Sequence, residues 1–350
     1  MRFSLPHPVA RLARRLQWPA AGPLSSSALG RTLACTLAIG LTLGGMLLLL
    51  FRALDEVDQR DRAAQMVAAS QAVTAALEQA GRFALAQAEM QARRADVAAA
   101  LAAGDATALM GLSAAGYEYL NTQAGVNIYG YHTADMRYLL RVHRKRVGSD
   151  GDDISRRRPM VLSANKSRQP QLGLEIGVTG IPAVRGITTV QRDGQFVGTM
   201  EVGMDLLPII ERIKVAINAD VAVILSQSLA GMQASKDSGE VFGDLILSAS
   251  TDNALFARLL QAKAVPVTRD TRIVQAQVHG VNHSVVIQPL TDFSGRVVGS
   301  LVAVKDFSAQ QAQIRQTRTD LTVAALCGGV LAFVLFAVLC RASVARDERA

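Results

Sequence analysis

Cysteine and aromatic residues are scarce in this chain of 350 residues. It holds three cysteines, and all of them lie in apolar stretches near the two ends, at Cys35, Cys327 and Cys340. The middle section has none, which excludes a disulfide framework and thiol chemistry there. Aromatic residues make up 5% of the chain while hydrophobic residues make up 50%. This composition allows two modest domains plus additional hydrophobic segments.

The common catalytic signatures are also absent from the sequence. It contains no G-x-S-x-G, H-E-x-x-H, C-x-x-C or P-loop motif. The five histidines are dispersed along the chain. His279 and His283 flank a turn and could share a metal, but two solvent-exposed histidines are the simpler interpretation. Residues 150–153 lack the spacing and the distal glutamate of a calcium loop. We therefore expect no enzymatic activity, no metal and no cofactor.

The section between the two ends has little excess of positive over negative charge. The chain carries a net charge of +8, of which residues 1–31 supply five units and the residues after Cys340 supply one. The nearly balanced middle section excludes the continuous basic face of a nucleic-acid binder. Basic flanks next to apolar runs are instead typical of membrane proteins.

Two apolar runs are long enough to cross a bilayer. Residues 32–51 and 321–340 hold no charged side chain over about 20 positions each. The first run exceeds the apolar region of a cleaved signal peptide and no A-x-A site follows it, which favours an uncleaved anchor. Gly40 and Gly44 form a G-x-x-x-G motif, which permits close approach of two such helices.

The charge of the flanks predicts the topology. Basic residues at both ends place the leader (1–31) and the tail (341–350) in the cytoplasm, and residues 52–320 on the opposite side of the membrane. The lipid bilayer is thus a predicted partner.

A long helix is predicted to leave the membrane. Residues 52–103 are rich in alanine, glutamine, glutamate and arginine and contain no proline. Apolar positions from Met66 to Ala84 share one face, which packs either against its own domain or against the same helix of a second subunit. Gly104-Asp105 ends this helix, and residues 106–115 form a short second one.

A repeated hairpin dominates the rest of the chain. Alternating apolar runs at 187–190 and 196–204 are joined by Asp193-Gly194, a strong hairpin signal because the turn needs positive φ. Residues 194–200 align without a gap with residues 295–301, and the agreement continues into the next helix. Two tandem copies of one small α+β domain are therefore predicted.

Further elements follow from periodicity and turn signals. The first copy has predicted strands at 126–132 and 136–143 and a helix at 155–168 with Ser155 as its N-cap. The second copy has predicted strands at 220–226, 240–248 and 272–278, a helix at 251–263 and the closing hairpin at 284–306. A polar helix over 308–320 connects it to the second span.

Charged residues interrupt the apolar strands of the first copy. They are Arg141, His143, Glu175, Arg185 and Glu201, with Arg158 on the intervening helix. Charges are rarely buried unpaired, so these side chains either pair with one another or meet a ligand. Arginines that converge on one pocket suit a small carboxylate. Residues 156–158 are interpreted as a solvated helix face with at most one member turned inward.

Six short motifs in the first copy follow one another in a fixed order along the chain. They are L-L-R-V-H (139–143), G-D-D-I-S-x-x-R-P (151–159), A-N-K (164–166), G-L-E-I-G (173–177), R-G-I (185–187) and D-G-Q-F-V-G-T-M-E-V-G (193–203). This set resembles the double Cache sensor domain of bacterial chemoreceptors, sensor kinases and diguanylate cyclases, in the subtype with L-R-x-H and G-D-D-x-S signatures. The resemblance covers about residues 53–320. It implies two PAS-like modules, a membrane-distal one (104–216) that binds a small molecule and a proximal one (217–307) that relays the signal. It also implies a location in a bacterial inner membrane, with residues 52–320 in the periplasm.

The predicted fold class is α+β, with two tandem PAS-like (Cache) modules on a long N-terminal helix, flanked by two transmembrane helices. The positions that match the family motifs include Asp152, Asp153 and Glu201. The predicted ligand-binding residues are Tyr129, Arg141, His143, Arg158, Glu175 and Arg185.

The predicted function is a dimeric membrane sensor in signal transduction, such as chemotaxis, that binds a small anionic metabolite, for instance a carboxylate. Relatives continue into a HAMP linker and an output module, whereas this chain ends about ten residues after its second span, so a separate output protein is expected to receive the signal. Two alternatives stand beside this prediction. One is a structural or assembly protein whose ectodomain holds a periplasmic partner, and the other is a degenerate receptor without output.

Overall fold

A computed structural model describes residues 26–147, 153–155, 157–177, 179–235, 237–278 and 280–347. The predictions for residues 1–25, 150–152 and His279 lie outside the described residues. The chain divides into two compact units, one of Asp58–Gln311 and one that combines the residues up to Val57 with those from Ala312 onward.

The smaller unit consists of the apolar ends of two long helices, α1 (Ser26–Ala92) and α8 (Ser308–Asp347). The ranges Ala34–Ala92 and Ser308–Leu339 are long and apolar enough to cross a membrane, and no residue in the most apolar window of each is buried. Exposed leucine and valine side chains over such a length need an apolar environment, which a bilayer supplies. In this unit Arg318 also forms an ion pair with Asp55 at the polar end of the helices.

Within the larger unit, α1 ends earlier than predicted. It stops at Ala92, and a separate helix α2 covers Ala95–Ala102. The break falls at Arg94, which is extended (φ −72°, ψ 126°) and binds the carboxylate of Asp96 through Nε (3.1 Å) and Nη2 (2.7 Å). The prediction of one helix to residue 103 was therefore wrong, because side-chain contacts stabilise the break where helix propensity is high.

Helix α3 covers Ala106–Ala124 and is longer than the predicted 106–115. The Asp105 carboxylate caps its start by accepting the Ala108 N–H (2.9 Å). Gly125, in the left-handed region at φ 73°, ends it.

The first sheet contains six antiparallel strands in the order β3-β2-β1-β6-β5-β4. In chain order they are β1 Val126–Thr133, β2 Tyr138–Arg141, β3 Arg146–Val147, β4 Gln171–Ile176, β5 Pro182–Arg192 and β6 Gln195–Asp205. A 3-10 turn at Val142–Arg144 follows β2. The repeated hairpin forms as predicted, since Asp193 (φ 49°) and Gly194 (φ 77°) both adopt the positive φ that its turn needs.

Helix α4 covers Pro159–Ser167, so the prediction of a helix over 155–168 capped by Ser155 was wrong at its start. Proline at the first helical position fits because its missing N–H has no partner there in any case. The described residues just before it, 153–155 and 157–158, are irregular, and Ser155 donates its N–H to the Asp153 carboxylate (2.9 Å).

The second sheet repeats the arrangement, with strands in the order β10-β11-β12-β7-β9-β8. Its strands are β7 Asp220–Ser226, β8 Glu240–Phe242, β9 Leu245–Ser250, β10 Arg272–Val278, β11 Val281–Thr291 and β12 Val297–Asp306. Its helices are α5 Leu206–Ile217, which leads into it, α6 Gln227–Ala230 and α7 Asn253–Gln261. In each sheet one long hairpin stands beside the strand that opens the module, and this common order agrees with a duplicated α+β fold.

Helix α1 packs closely on the first sheet. Its buried face there consists of small side chains, among them Ala84 and Ala88, which are fully buried. Opposite them, a Cβ at Gly186 of β5 would collide with the backbone of Leu85. The absence of side-chain bulk on both elements allows the helix to rest directly on the strand.

Candidate functional site

A cavity of about 410 Å³ opens at one end of the first sheet. The antiparallel register brings the starts of β1 and β5 and the ends of β2, β4 and β6 to this end. The 3-10 turn after β2 and the irregular segment before α4 complete the wall. A volume of this size suits a small molecule.

Cationic side chains dominate the lining of the cavity. The arginines that line it are Arg141, Arg144, Arg146, Arg157, Arg158 and Arg185. Among the described lining residues, Asp153 and Asp205 are the acidic ones. Attraction between opposite charges in a partly enclosed space therefore favours an anionic ligand.

The deepest part of the wall is a network of buried ions. Arg158 donates from Nε to Glu175 Oε2 (2.7 Å) and from Nη1 to the Tyr138 hydroxyl (3.0 Å). Its Nη1 and Nη2 also contact the two carboxylate oxygens of Glu201, which is shared with Arg185. Two arginines and two glutamates thus neutralise one another out of water, as required of buried charges.

The pKa values in this network reflect the pairing. Burial alone would raise the pKa of Glu201, but the charges of Arg158 and Arg185 outweigh it and hold that pKa well below its ordinary value. Burial would likewise lower the pKa of Arg158, and the Glu201 carboxylate reverses the direction. Burial raises the pKa of Tyr138 to about 12. Glu201, Arg158 and Tyr138 therefore each keep one protonation state at neutral pH.

Arg185 connects the network to the cavity. Its Nη1 contacts Glu201, and its buried Nε makes no hydrogen bond among the described residues but lies 3.7 Å from Oε2 of Glu175. Its Nη2 points at Gly177 on the cavity wall, where it lies 3.2 Å from the position that a Cβ would occupy. Arg185 therefore pairs with both buried glutamates and presents Nη2 at the wall of the cavity.

Arg141 and His143 face the cavity from the opposite side. The Arg141 guanidinium lies over the ring of Tyr138, 3.7 Å from its centroid. His143 Nδ1 contacts the backbone of Tyr129 at N (3.1 Å) and O (3.0 Å), which leaves Nε2 as the ring nitrogen that can serve a ligand. Burial lowers the pKa of His143 and favours its neutral form.

The structure thus brings four of the six predicted ligand-binding residues to the cavity wall, namely Arg141, His143, Arg158 and Arg185. Glu175 lies behind the wall, where it accepts from Arg158 and from the N–H of Met160 (2.8 Å). Tyr129 is on the other face of the sheet, with its ring centroid 5.8 Å from that of Tyr117. Glu175 therefore positions the arginines, and Tyr129 belongs to the core beneath α3.

Several lining residues were not predicted. Asn127, at the start of β1, has a buried Oδ1 without a partner among the described residues. Arg157 also lines the cavity and is exposed, whereas Arg158 is buried, so among the described residues of 156–158 one is turned inward, as expected. The prediction of a helix face for them was wrong, because α4 begins only at Pro159. Pro159 was the signal for this difference, because a helix that begins at proline leaves residue 157 outside the helix.

Comparison with known proteins identifies similar sequences and structures. A family model described as a double sensory domain of two-component sensor kinase matches residues 59–311. No curated protein matches the chain.

Three solved structures of low sequence identity are similar to this chain. The sensory domain of the Campylobacter jejuni chemoreceptor Tlp3 with isoleucine bound is 10% identical, with 73% of this chain and 95% of that chain covered and a TM-score of 0.44. The sensor domain of the V. cholerae histidine kinase DctB is 13% identical, with 72% and 98% covered and a TM-score of 0.42. The ligand-binding domain of the Pseudomonas fluorescens chemoreceptor CtaA in complex with L-serine is 18% identical, with 73% and 99% covered and a TM-score of 0.42.

Proposed function

Because the chain belongs to the double Cache family of sensory domains, we propose that it is a membrane-anchored sensor whose first module binds a small anion. The observation that carries this proposal is the cavity itself, whose described lining holds six arginines and two acidic residues. Guanidinium groups bind carboxylates through paired hydrogen bonds, so a small carboxylate is the proposed ligand class. Binding, rather than catalysis, is the proposed role of this site.

The ligand is expected to contact the exposed arginines first. Arg158 is 4% exposed and is already committed to Glu175 and Glu201, which makes it a support for the wall more than a free anion receptor. Arg144 and Arg157 line the same cavity and are exposed, so they can close over a bound anion. Charge at the mouth also raises the rate at which an anion arrives.

The relay runs through the second module to the membrane. Helix α8 begins at Ser308, directly after β12, and its first turns contact α1. The Arg62 guanidinium lies 5.5 Å from the ring centroid of Phe307, and Gln310 Nε2 donates to Asp58 Oδ1 (2.8 Å). A shift of β12 therefore moves α8 along α1, and ligand binding biases this shift if the two positions differ in affinity.

The topology and the partners are part of the same proposal. We propose that both termini are cytoplasmic, which the basic flanks of the two spans support. We also propose a homodimer through α1, where Val67 and Met90 expose apolar side chains. Signal transfer to a separate output protein stays a prediction, and copurification from membranes tests it.

A thermal-shift screen of the full chain in detergent micelles tests the binding proposal. Mono-, di- and tricarboxylates and inorganic phosphate are compared with chloride at the same ionic strength. At least one anion is expected to raise the melting temperature, because a ligand that binds only the folded state stabilises it. No stabilisation by any anion, together with capture of a stoichiometric periplasmic protein, would favour an assembly role instead.

A further inference from the structure

One wall of the cavity is formed by the loop after β4, and the second module contacts both this loop and β4. Strand β4 is the edge strand of the first sheet, so its outer side has no neighbouring strand in that sheet. There the Leu174 carbonyl accepts the N–H of Phe293 from the turn between β11 and β12 (2.9 Å). Gly173 (φ 142°) makes room for this contact, because a Cβ there would lie 2.9 Å from that of Phe293.

A second contact holds the loop between β4 and β5. The Thr179 carbonyl accepts from the hydroxyl of Ser235 (2.6 Å) and lies 3.4 Å from that of Ser238. The two hydroxyls are 2.9 Å apart, and Ser238 Oγ also accepts the N–H of Ser235 (2.9 Å). Ser238 is fully buried and Ser235 is exposed, so the serine pair joins the two modules at the edge of a buried polar contact.

The fit around the loop is tight. Gly180 has a φ of 81°, and a Cβ there would lie 2.7 Å from Cε of Met232 in the second module. Within the loop, Gly177 donates to the Ile181 carbonyl (2.9 Å) and Gly180 donates to the Gly177 carbonyl (2.9 Å). The loop is therefore a compact turn pressed against the second module.

The residues held in this way belong to the site. Gly177, Thr179 and Ile181 line the cavity. Glu175, next to Leu174, orients Arg158 through the 2.7 Å bond from Nε. Both ends of one wall of the cavity are thus fixed by groups from the second module.

We propose that Ser235, Ser238 and the Phe293 backbone are positioning groups for the anion site, and that the second module sets the affinity of the first. This inference rests on the proposed function. Because the serine contact already orders this wall, ligand binding does not have to pay the conformational entropy of ordering it. Loss of the contact should therefore weaken binding. By thermodynamic linkage, an anion that orders the loop also strengthens the contact between the modules, which gives the relay its first step.

The test compares the full chain with three variants. Ser235→Ala removes the hydroxyl and Ser235→Thr retains one at an exposed position. Ser228→Ala is the matched control, because the Ser228 hydroxyl contacts Ser226 and Asp244 within the second module. Hydrogen exchange of the amides of 179–181 is measured without ligand, with α3 as the reference for intact folding.

Ser235→Ala is expected to speed exchange at 179–181 about tenfold, the effect of losing one hydrogen bond of typical net strength. Ser235→Thr and Ser228→Ala should exchange like the unmodified chain. Succinate serves as the probe in a parallel titration, and its affinity should fall by a similar factor in Ser235→Ala alone.

The outcomes separate the two proposals. Equal exchange rates in Ser235→Ala and the unmodified chain overturn the positioning role. Equal affinity for succinate in all four proteins also overturns it, but leaves the proposed anion site intact. Faster exchange in Ser235→Ala, in a protein that binds neither succinate nor any other carboxylate, supports the contact between the modules and overturns the anion site.

Discussion

Arg158 and Glu201 are 43 residues apart in the chain and form a buried pair in which two guanidinium nitrogens meet both carboxylate oxygens. Glu201 also contacts Arg185, the Tyr138 hydroxyl (2.5 Å) and Nε2 of His132 (3.4 Å). It is fully buried on β6. One carboxylate therefore neutralises two arginines that form the inner wall of the cavity.

Glu201→Gln should destabilise the larger unit by about 3–5 kcal/mol, because it leaves two buried guanidinium groups with a single carboxylate. Urea unfolding measures the loss. Asp193→Asn, at an exposed acid of the same module, should change stability little. Equal stability of the two variants would show that the network is not buried as described.

Gly186→Ala should destabilise the protein by roughly 1–3 kcal/mol, since the added Cβ forces α1 away from β5. The control is Gly111→Ala in α3, where nothing lies within 4 Å of the new Cβ. That variant should be more stable by about 0.5–1 kcal/mol, as alanine is the better helix former. Thermal unfolding distinguishes the opposite signs, and a stabilising Gly186→Ala would contradict the close helix–sheet contact.

The sequence predicted the features that depend on neighbouring residues. The turn at Asp193-Gly194 needs positive φ at both positions, which is a property of those two residues and of no distant contact. The break at Arg94 was missed because it depends on other segments, including the Leu112 carbonyl, 3.4 Å from Nη1 of Arg94. Local propensity alone favours a continuous helix there.

The difference between features set by neighbouring residues and features set by distant contacts also applies to the site. Arg158, Glu175, Arg185 and Glu201 were recognised because charges stood out in apolar strands, but which of them pair could not be read from spacing. Strand alternation puts Tyr129 and Gly130 on opposite faces, and only the three-dimensional packing shows that Tyr129 faces α3. The contact of Ser235 with Thr179 joins residues 56 positions apart in separate modules, and no local pattern announces it.

Stability should fall as the pH drops below about 6.5, and His132 is a main cause. Burial lowers the pKa of this fully buried histidine below its ordinary value of 6.5, with Glu201, Arg158 and Glu175 as its charged neighbours. Its protonation therefore favours the unfolded chain. The contribution of neutral His132 is complete above pH 6.5 and is lost as the pH falls through the folded-state pKa.

The slope is at most about 1.4 kcal/mol per pH unit for one proton. Melting temperatures of the unmodified chain and of His132→Gln, measured from pH 7.5 to 5.0, provide the check. His132→Gln should show the shallower dependence. Parallel curves for the two proteins would contradict this assignment.

Ligand binding should alter the contact between α8 and α1. Cysteines at Asp58 and Gln310, whose side chains are hydrogen bonded, report on it in a chain whose three native cysteines are replaced by serine. The rate of disulfide formation should change when a stabilising anion is added. Cysteines at Gln275 and Ser284, cross-strand partners in β10 and β11, should form a bond at the same rate with and without the anion. An unchanged rate at 58 and 310 would argue against the relay.

The most direct measurement is a calorimetric titration of the most stabilising anion into the full chain and two variants at constant ionic strength. Arg144→Gln/Arg157→Gln removes two charges from the cavity lining, and Arg82→Gln/Arg192→Gln removes two exposed charges elsewhere in the same unit. We predict one anion bound per chain, an affinity at least tenfold weaker in the first variant, and no change in the second. Equal affinity in both variants, or preference for a neutral analogue over the anion, would contradict an anion-binding cavity.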